Sequence, residues 1–258
     1  MSMLIFQIQA PLSSWGITAV GEYRPSYDYP GVSALSGLLA AALGLRRDEE
    51  DGHAMLRDGY GYAVGVQNSG RLLRDYHTAQ APSQAKLNKR PHASRRDELA
   101  LPKHELNTVL STRDYRQGAG CLVAVQARAD SRYSLNELSA ALRCPRFVLY
   151  FGRKACPPAA PLHPQVIKAV TAHRAFEEYR AQLNNAIGQH RDRYGMVTLE
   201  SCASIEKIAW SDGIDVGLSA DLTLTRKDFP LSRKGWQFGD RIEHVALIRA
   251  EASTCTST

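Results

Sequence analysis

Two residue patterns in this chain are equipped for chemistry: histidine beside lysine or tyrosine, and paired cations at the end of an apolar run. Asp75-Tyr76-His77 ends one strand-like run, and Lys103-His104 closes a basic stretch. Metal-independent RNA cleavage needs a base for the 2′-hydroxyl proton and a cation to neutralise the charge developing on phosphorus. Lys103 and His104 supply that inventory, as do many exposed His-Lys pairs, while His77 also suits a hydrogen-bonded structural role. The second pattern is Arg146-Phe147-Val148-Leu149-Tyr150-Phe151-Gly152-Arg153-Lys154-Ala155-Cys156-Pro157-Pro158. Its apolar residues predict a strand over Phe147 to Phe151, stopped by a glycine that lets the backbone take φ > 0 or approach a ligand closely. Arg153 and Lys154 then stand at the strand end, and the double proline prevents the strand from continuing. A phosphodiester backbone is held this way against a sheet edge; a solvated turn closing a core strand explains the same residues.

Other chemistries are excluded by missing motifs. There is no G-x-x-x-x-G-K-[ST], G-x-G-x-x-G, H-E-x-x-H or G-x-S-x-G, and the acids are too dispersed for a two-metal centre. The 258 residues carry a net charge of +6, which favours an acidic partner such as nucleic acid. No apolar stretch approaches the roughly 18 residues of a membrane span, and Met1 to Ala10 reads as a strand rather than a leader. Five scattered cysteines without a C-x-x-C pair predict a reduced, cytoplasmic protein with no structural zinc and no cofactor.

The elements that position these residues follow from periodicity. Leu4, Phe6 and Ile8 alternate in a first strand, Met3 to Gln9. Trp15, in the loop Pro11-Leu12-Ser13-Ser14-Trp15-Gly16, suits either a core plug or a base-stacking platform. Ser33 to Leu43 has helical spacing, Gly44 is placed as its C-terminal cap, and Gly37 inside it implies close approach by a neighbour. Arg46 and Arg47 follow, suiting the helix dipole, with Arg46 also placed to reach RNA. Gly61 to Val66 and Arg71 to His77 predict two strands joined at Asn68-Ser69-Gly70. From about residue 81 to 110 periodicity fades, and Lys86, Lys89, Arg90, His92, Arg95, Arg96 and Lys103 outnumber Asp97, Glu98 and Glu105. That composition suits an arm that orders on an anionic partner. Cys121 to Ala127 reads as a buried strand, and Ser134 with Glu137 forms a capping box opening a helix that ends before Pro145.

The order β-α-β-β-α-β predicts an α+β fold: a ferredoxin-like (RRM-like) domain over residues 1–160, with an inserted basic thumb at about 81–110. The aromatic consensus of ordinary RNA-recognition modules is missing, so RNA contacts are expected from loops and the arm. Residues 161–258 predict a helix, Val166 to Ile187, and a smaller, mainly β C-terminal domain with alternating Leu218, Leu222 and Leu224 and a final strand, Ile242 to Ile248. The tail Ser253 to Thr258 is expected to fray.

Five motifs carry a resemblance: Pro11 to Gly16, Ser33-Ala34-Leu35-Ser36-Gly37-Leu38-Leu39 with Leu43-Gly44, Asp75-Tyr76-His77-Thr78, Arg113-Asp114-Tyr115, and Tyr150 to Pro158. In this order they resemble the fifth Cas family in its subtype I-E branch, the CasD subunits of the Cascade interference complex. The likeness covers roughly residues 3–162 and, more weakly, 222–248; the arm and the stretch from Pro164 to Glu200 depart from it. It implies a non-catalytic subunit that caps the 5′ handle of the crRNA beside the CasC backbone and the large CasA subunit, in antiviral defence. Target DNA is then read by base pairing while the proteins hold backbone and shape. In the subtype I-C relative the corresponding subunit is a metal-independent ribonuclease, which keeps His104 and Lys103 as an alternative catalytic pair. The RNA-binding residues on this reading are Trp15, Arg46, Tyr76, His77, Lys86, Lys89, Arg90, Arg95, Arg96, Arg113, Tyr115, Tyr150, Gly152, Arg153 and Lys154.

Overall fold

The first strand, β1 (Ser2–Gln9), is buried from Met3 to Ile8 because both of its faces are covered. Leu4, Phe6 and Ile8 enter one hydrophobic cluster, while Met3 and Ile5 enter another on the opposite side. The computed structural model describes residues 1–88, 91–194 and 202–248. Lys89, Arg90 and the tail Ser253 to Thr258 therefore lie outside the described residues.

Four two-residue strands follow β1: β2 (Leu12–Ser13), β3 (Trp15–Gly16), β4 (Tyr23–Arg24) and β5 (Ser26–Tyr27). Helix α1 (Val32–Leu43) comes next, capped by Gly44 in the left-handed region at φ 83°. Then come α2 (Glu50–Asp58), β6 (Tyr60–Asn68), β7 (Arg71–Pro82), the short helical turns α3 (Gln84–Leu87) and α4 (Arg95–Glu98), β8 (Leu106–Gln117) and β9 (Gly120–Ala127). The chain continues through α5 (Leu135–Arg143), β10 (Gln165–Lys168), α6 (Ala172–Tyr194), β11 (Lys207–Ser211), β12 (Leu222–Ser232) and β13 (Gln237–Leu247). The capping box at Ser134 and Glu137 opens α5 as expected.

Seven strands form one antiparallel sheet in the order β10-β1-β9-β6-β11-β13-β12. Helices α1, α2 and α5 cover the face that carries Leu4, Phe6 and Ile8. Helix α6 covers the other through Phe176, Tyr179 and Leu183. The ladder is continuous across residues 160 and 161: β10 pairs with β1, and β11 pairs with β6.

Three expectations are corrected by where backbone groups find partners. Phe147 to Phe151 is not a strand: the N–H groups of Arg146 and Phe147 donate to the last carbonyls of α1, Ala42 O at 3.0 Å and Ala41 O at 3.1 Å. The apolar run thus closes a helix end, with Leu149 and Phe151 inward and Val148 outward. Second, β6 and β7 do not pair. The turn at Asn68-Ser69-Gly70 carries the chain from the large sheet to a second one, in which β7 pairs with β8 along its whole length. The arm is consequently the end of a long hairpin, with its helical turns at the tip. Third, Val166 belongs to β10 and the following helix begins only at Ala172.

The β12–β13 hairpin is locked onto α1 by a buried charge cluster. Arg226, 2% exposed, lies 3.1 Å from Glu243 and 3.6 Å from Asp228. Arg241 reaches both carboxylates at 2.6 Å. Asp228 also accepts the Val32 N–H at the start of α1 at 3.0 Å, and the Tyr29 hydroxyl donates to Glu243 at 2.8 Å. Burial opposes the Arg241 charge, but hydrogen bonds and attraction from Asp228 and Glu243 win and hold its pKa above the ordinary arginine value. Removing one member of a buried pair strands the other charge. Arg226→Ala should therefore cost about 3–5 kcal/mol of stability, read from urea unfolding; a loss below about 1 kcal/mol would show that the cluster contributes little.

Candidate nucleic-acid interface

Arg24, Arg113, Tyr115, Tyr150, Gly152, Arg153 and Lys154 line one open cleft of about 500 Å³. Three pieces of backbone bring them together. Strand β4 runs parallel to β8 with Arg24 opposite Arg113. Because strand side chains alternate, Arg113 and Tyr115 share one face of β8 and Asp114 points the other way. There Asp114 is buried and accepts from Arg74 Nε at 2.8 Å and from the Tyr23 hydroxyl at 2.6 Å, which fixes β4 and β7 against β8.

The third piece is the turn after Phe151. Ser14 N–H donates to Phe151 O at 3.1 Å and Ser14 Oγ to Asp114 O at 3.0 Å, so one serine joins this turn to β8. Gly152 has φ 85°, and a Cβ there would fall 1.7 Å from Ser14 O, so glycine is required both by conformation and by space. Phe151 N–H donates to Cys156 O and Cys156 N–H to Arg153 O, each at 2.8 Å, closing a tight loop that presents Arg153 and Lys154. The Arg153 guanidinium lies 4.5 Å above the Tyr115 ring and donates through Nη2 to Arg24 O at 3.2 Å. Its Nη1 has no hydrogen-bond partner among the described residues.

Six residues expected from the sequence are thus brought together: Arg113, Tyr115, Tyr150, Gly152, Arg153 and Lys154. Arg24 joins them and was missed; its only signal was a cation before Pro25 in an extended loop. Of the two roles read for Trp15, the core plug holds and the RNA-binding role is corrected: at 5% exposure, with its ring 5.8 Å from that of Phe151, it is buried. His77 lies opposite Ser111 and shares the Arg113 face of the β7–β8 ladder, whereas Tyr76, opposite Thr112 and 67% exposed, is on the other face. Arg46 lies outside the cleft and lines a neighbouring pocket.

On the arm, Lys86 pairs with Glu105 at 3.1 Å, Arg95 pairs with Glu98 and donates to Gln80 O, and Arg96 is exposed. Lys103 and His104 are both exposed on the single 3₁₀ turn that precedes β8. Leu106 to Arg113 is seven steps of extended strand, so roughly 23 Å separates that turn from the cleft. Among the described residues, no group of three or more His, Cys, Asp or Glu is placed to hold a metal, and no helix is long and apolar enough to cross a membrane.

Cations and aromatic rings are thus gathered at the base of a basic hairpin, on a mixed α/β body with a large antiparallel sheet. The chain belongs to the CRISPR-associated protein family (Cas_Cas5), whose profile matches residues 3–242. The CRISPR system Cascade subunit CasD of Escherichia coli (strain K12) is 30% identical over 186 residues, covering 69% of this chain and 77% of that protein. Among solved structures, a chain of a CRISPR RNA-guided surveillance complex superposes with a TM-score of 0.58 at 21% identity, covering 95% of this chain and 89% of that one. A structure described as a Cas protein superposes with a TM-score of 0.53, also at 21% identity, over 95% of this chain and 94% of its own. The fold is shared with both.

The Asp114 junction has a defined pH response. Arg74's hydrogen bonds, helped by that of Tyr23, hold the Asp114 carboxyl below the usual carboxylate range despite its burial. The folded protein therefore binds this proton more weakly than the unfolded chain, whose aspartate titrates near about 3.9. The stabilisation is full above about pH 4 and is lost as pH falls through the folded value. Asp114→Asn should lower stability at neutral pH and reduce the steepness of acid destabilisation below about pH 4, both read from denaturant midpoints; an unchanged acid slope would remove Asp114 from this role.

Proposed function

We propose that this protein is a non-catalytic subunit of a type I-E Cascade complex that holds the 5′ handle of the crRNA. The observation carrying the proposal is the convergence of Arg24, Arg113, Arg153 and Lys154 on one cleft with Tyr115 and Tyr150. Arginine at a fixed fork suits phosphate oxygens, and tyrosine rings offer stacking worth about 1–3 kcal/mol per base. The name of the curated relative and the description of the surveillance complex support assignment to such an assembly; the CasC backbone and the large CasA subunit are the neighbours this reading expects there. Target DNA would be bound indirectly, through the guide.

The long β7–β8 hairpin supplies the thumb in this reading, with Lys86, Arg95 and Arg96 available to RNA or an adjacent subunit. The body is read as ferredoxin-like because β1, β6, β9 and β10 lie in the spatial order fourth-first-third-second, linked by helices at the two crossovers. In this reading the ferredoxin-like unit extends past residue 160 to include β10, its fourth strand, and β11, β13 and β12 of the C-terminal part continue the sheet beyond β6. The scattered cysteines and basic charge suit a cytoplasmic ribonucleoprotein.

Salt dependence tests the cleft. Four phosphate contacts predict a log–log slope of about −2.8 for single-stranded handle RNA, at about −0.7 per phosphate. Replacing Arg153 and Lys154 with alanine should lower its magnitude by about 1.4; an unchanged slope excludes them as phosphate ligands.

Exposure of Lys103 and His104 on one turn keeps metal-independent cleavage of repeat RNA as the second reading. Incubating the purified chain with repeat RNA in EDTA should shift the RNA without cutting it. A cut that His104→Ala abolishes would replace the non-catalytic assignment.

A further inference from the structure

A second pocket, of about 430 Å³, lies on the other side of Tyr150 and Gly152 from the cation cleft. Its floor is aliphatic, built from Leu38, Ala41 and Leu45 along α1 and its exit. One rim is the loop after α5, where Phe147 is 44% exposed and Val148 86% exposed. The opposite rim carries Arg47, Arg233 and Trp236. Such a group of exposed apolar side chains around a concavity marks an interaction surface.

The charged rim indicates what would fill it. The guanidinium carbons of Arg47 and Arg233 lie 4.7 Å and 5.8 Å from the centre of the Trp236 ring. Trp236 is 57% exposed and sits at φ 56°, a left-handed backbone that a bulky side chain rarely adopts. Arg233 passes over Gly37, where a Cβ would come within 2.6 Å of its Nη2, and that nitrogen donates to Ser33 O. The nearby Glu50 carboxylate is already occupied, accepting from Ser232 Oγ at 2.9 Å, Lys234 N–H at 2.7 Å and Arg233 N–H at 3.2 Å. The Glu49 carboxylate likewise accepts the Arg46 N–H. Burial, followed by repulsion from Arg47, lowers the Arg233 pKa, and the opposing attraction of Tyr150 and Glu50 does not reverse it.

We propose that this pocket is a docking site for an acidic protein segment that inserts one leucine or phenylalanine between α1 and Val148 and pairs its carboxylates with Arg47 and Arg233. An apolar side chain loses nothing on entering an aliphatic floor. Against the aliphatic floor of Leu38, Ala41 and Leu45 a nucleobase would leave edge donors and acceptors without partners, because the polar groups that line the pocket, Ser33, His53 and the arginines, are not part of that floor. Carboxylates match the arginine rim and can be held in bidentate pairs. The site is separate from the proposed RNA cleft, although Tyr150 and Gly152 form a wall common to both.

The test uses the purified full chain and a fluorescein-labelled peptide carrying a Phe-Leu pair between Glu-Asp pairs. One control peptide has Ser-Ser in place of Phe-Leu, and another has lysines in place of the acids. Saturable polarisation with the first peptide alone is the expected result. Val148→Asp and Arg47→Ala, both at exposed positions, should each weaken it about tenfold while leaving single-stranded RNA affinity and unfolding midpoints unchanged. Lack of saturable binding, equal binding of the Ser-Ser control, or insensitivity to both variants would overturn the proposal. Loss of RNA affinity in the two variants would assign the pocket to nucleic acid instead. Failure of the unmodified chain to bind RNA would count against the handle-binding reading and leave the peptide result to stand by itself.

Discussion

Four ionised groups inside the protein, Arg226, Asp228, Arg241 and Glu243, hold α1 to a hairpin that lies some two hundred residues away in the chain, as the Tyr29–Glu243 separation of 214 positions shows. The cluster is neutral in sum, so its cost is the water it gives up. Direct pairing, a helix N–H and two aromatic rings repay that cost: the Arg226 guanidinium lies 3.9 Å above Tyr27 and 5.0 Å above Tyr29. Apolar residues of equal volume could give comparable stability. They could not give the same direction, because an apolar side chain at position 228 has no oxygen to receive the first N–H of α1. Gly31 shows how closely the parts meet: a Cβ there would fall 1.8 Å from Asp228 Oδ2.

Helix α1 is thereby fixed at both ends by remote segments. Its start is held by Asp228, and its final carbonyls accept from Leu45, Arg146 and Phe147. The loop that supplies the last two bonds continues directly into Tyr150, Gly152, Arg153 and Lys154. The positions of the cation cleft and of the apolar pocket beside it are thus consequences of how the ends of one helix are satisfied. Ser14, joined to both Phe151 and Asp114, ties the same loop to the base of the hairpin.

What could be read from sequence followed from local rules. The parity of β1, the helical spacing and C-terminal glycine of α1, the capping box of α5 and the close approach at Gly37 each depend on residues a few positions apart. The cleft was legible in six of its members because cations at loop ends have few structural uses. What escaped depended on distant partners. Phe147 to Phe151 has strand composition, but its backbone bonds go to a helix end. Asn68-Ser69-Gly70 has the chemistry of a hairpin turn, yet β7 finds β8 rather than β6. Helix α2 buries only Leu56 among its described side chains, too little to leave a periodic trace. The arm looked irregular because exposed residues of a free-standing hairpin need no apolar alternation. The charge cluster gave no local sign, since its acids and bases are sequence neighbours of ordinary strand residues.

The placement of Asp228 and Glu243 some two hundred residues after the start of α1 bears on biosynthesis. Until those residues are made, α1 lacks the acceptor for its first N–H and Tyr29 lacks its carboxylate, and until β11 is made the sheet ends at β6 with an open edge. An open edge is a template for unwanted pairing, and contacts between segments far apart in sequence are slow to form. The nascent protein must therefore pass through a stage in which its body is built but unlatched, until Asp228 and Glu243 have emerged.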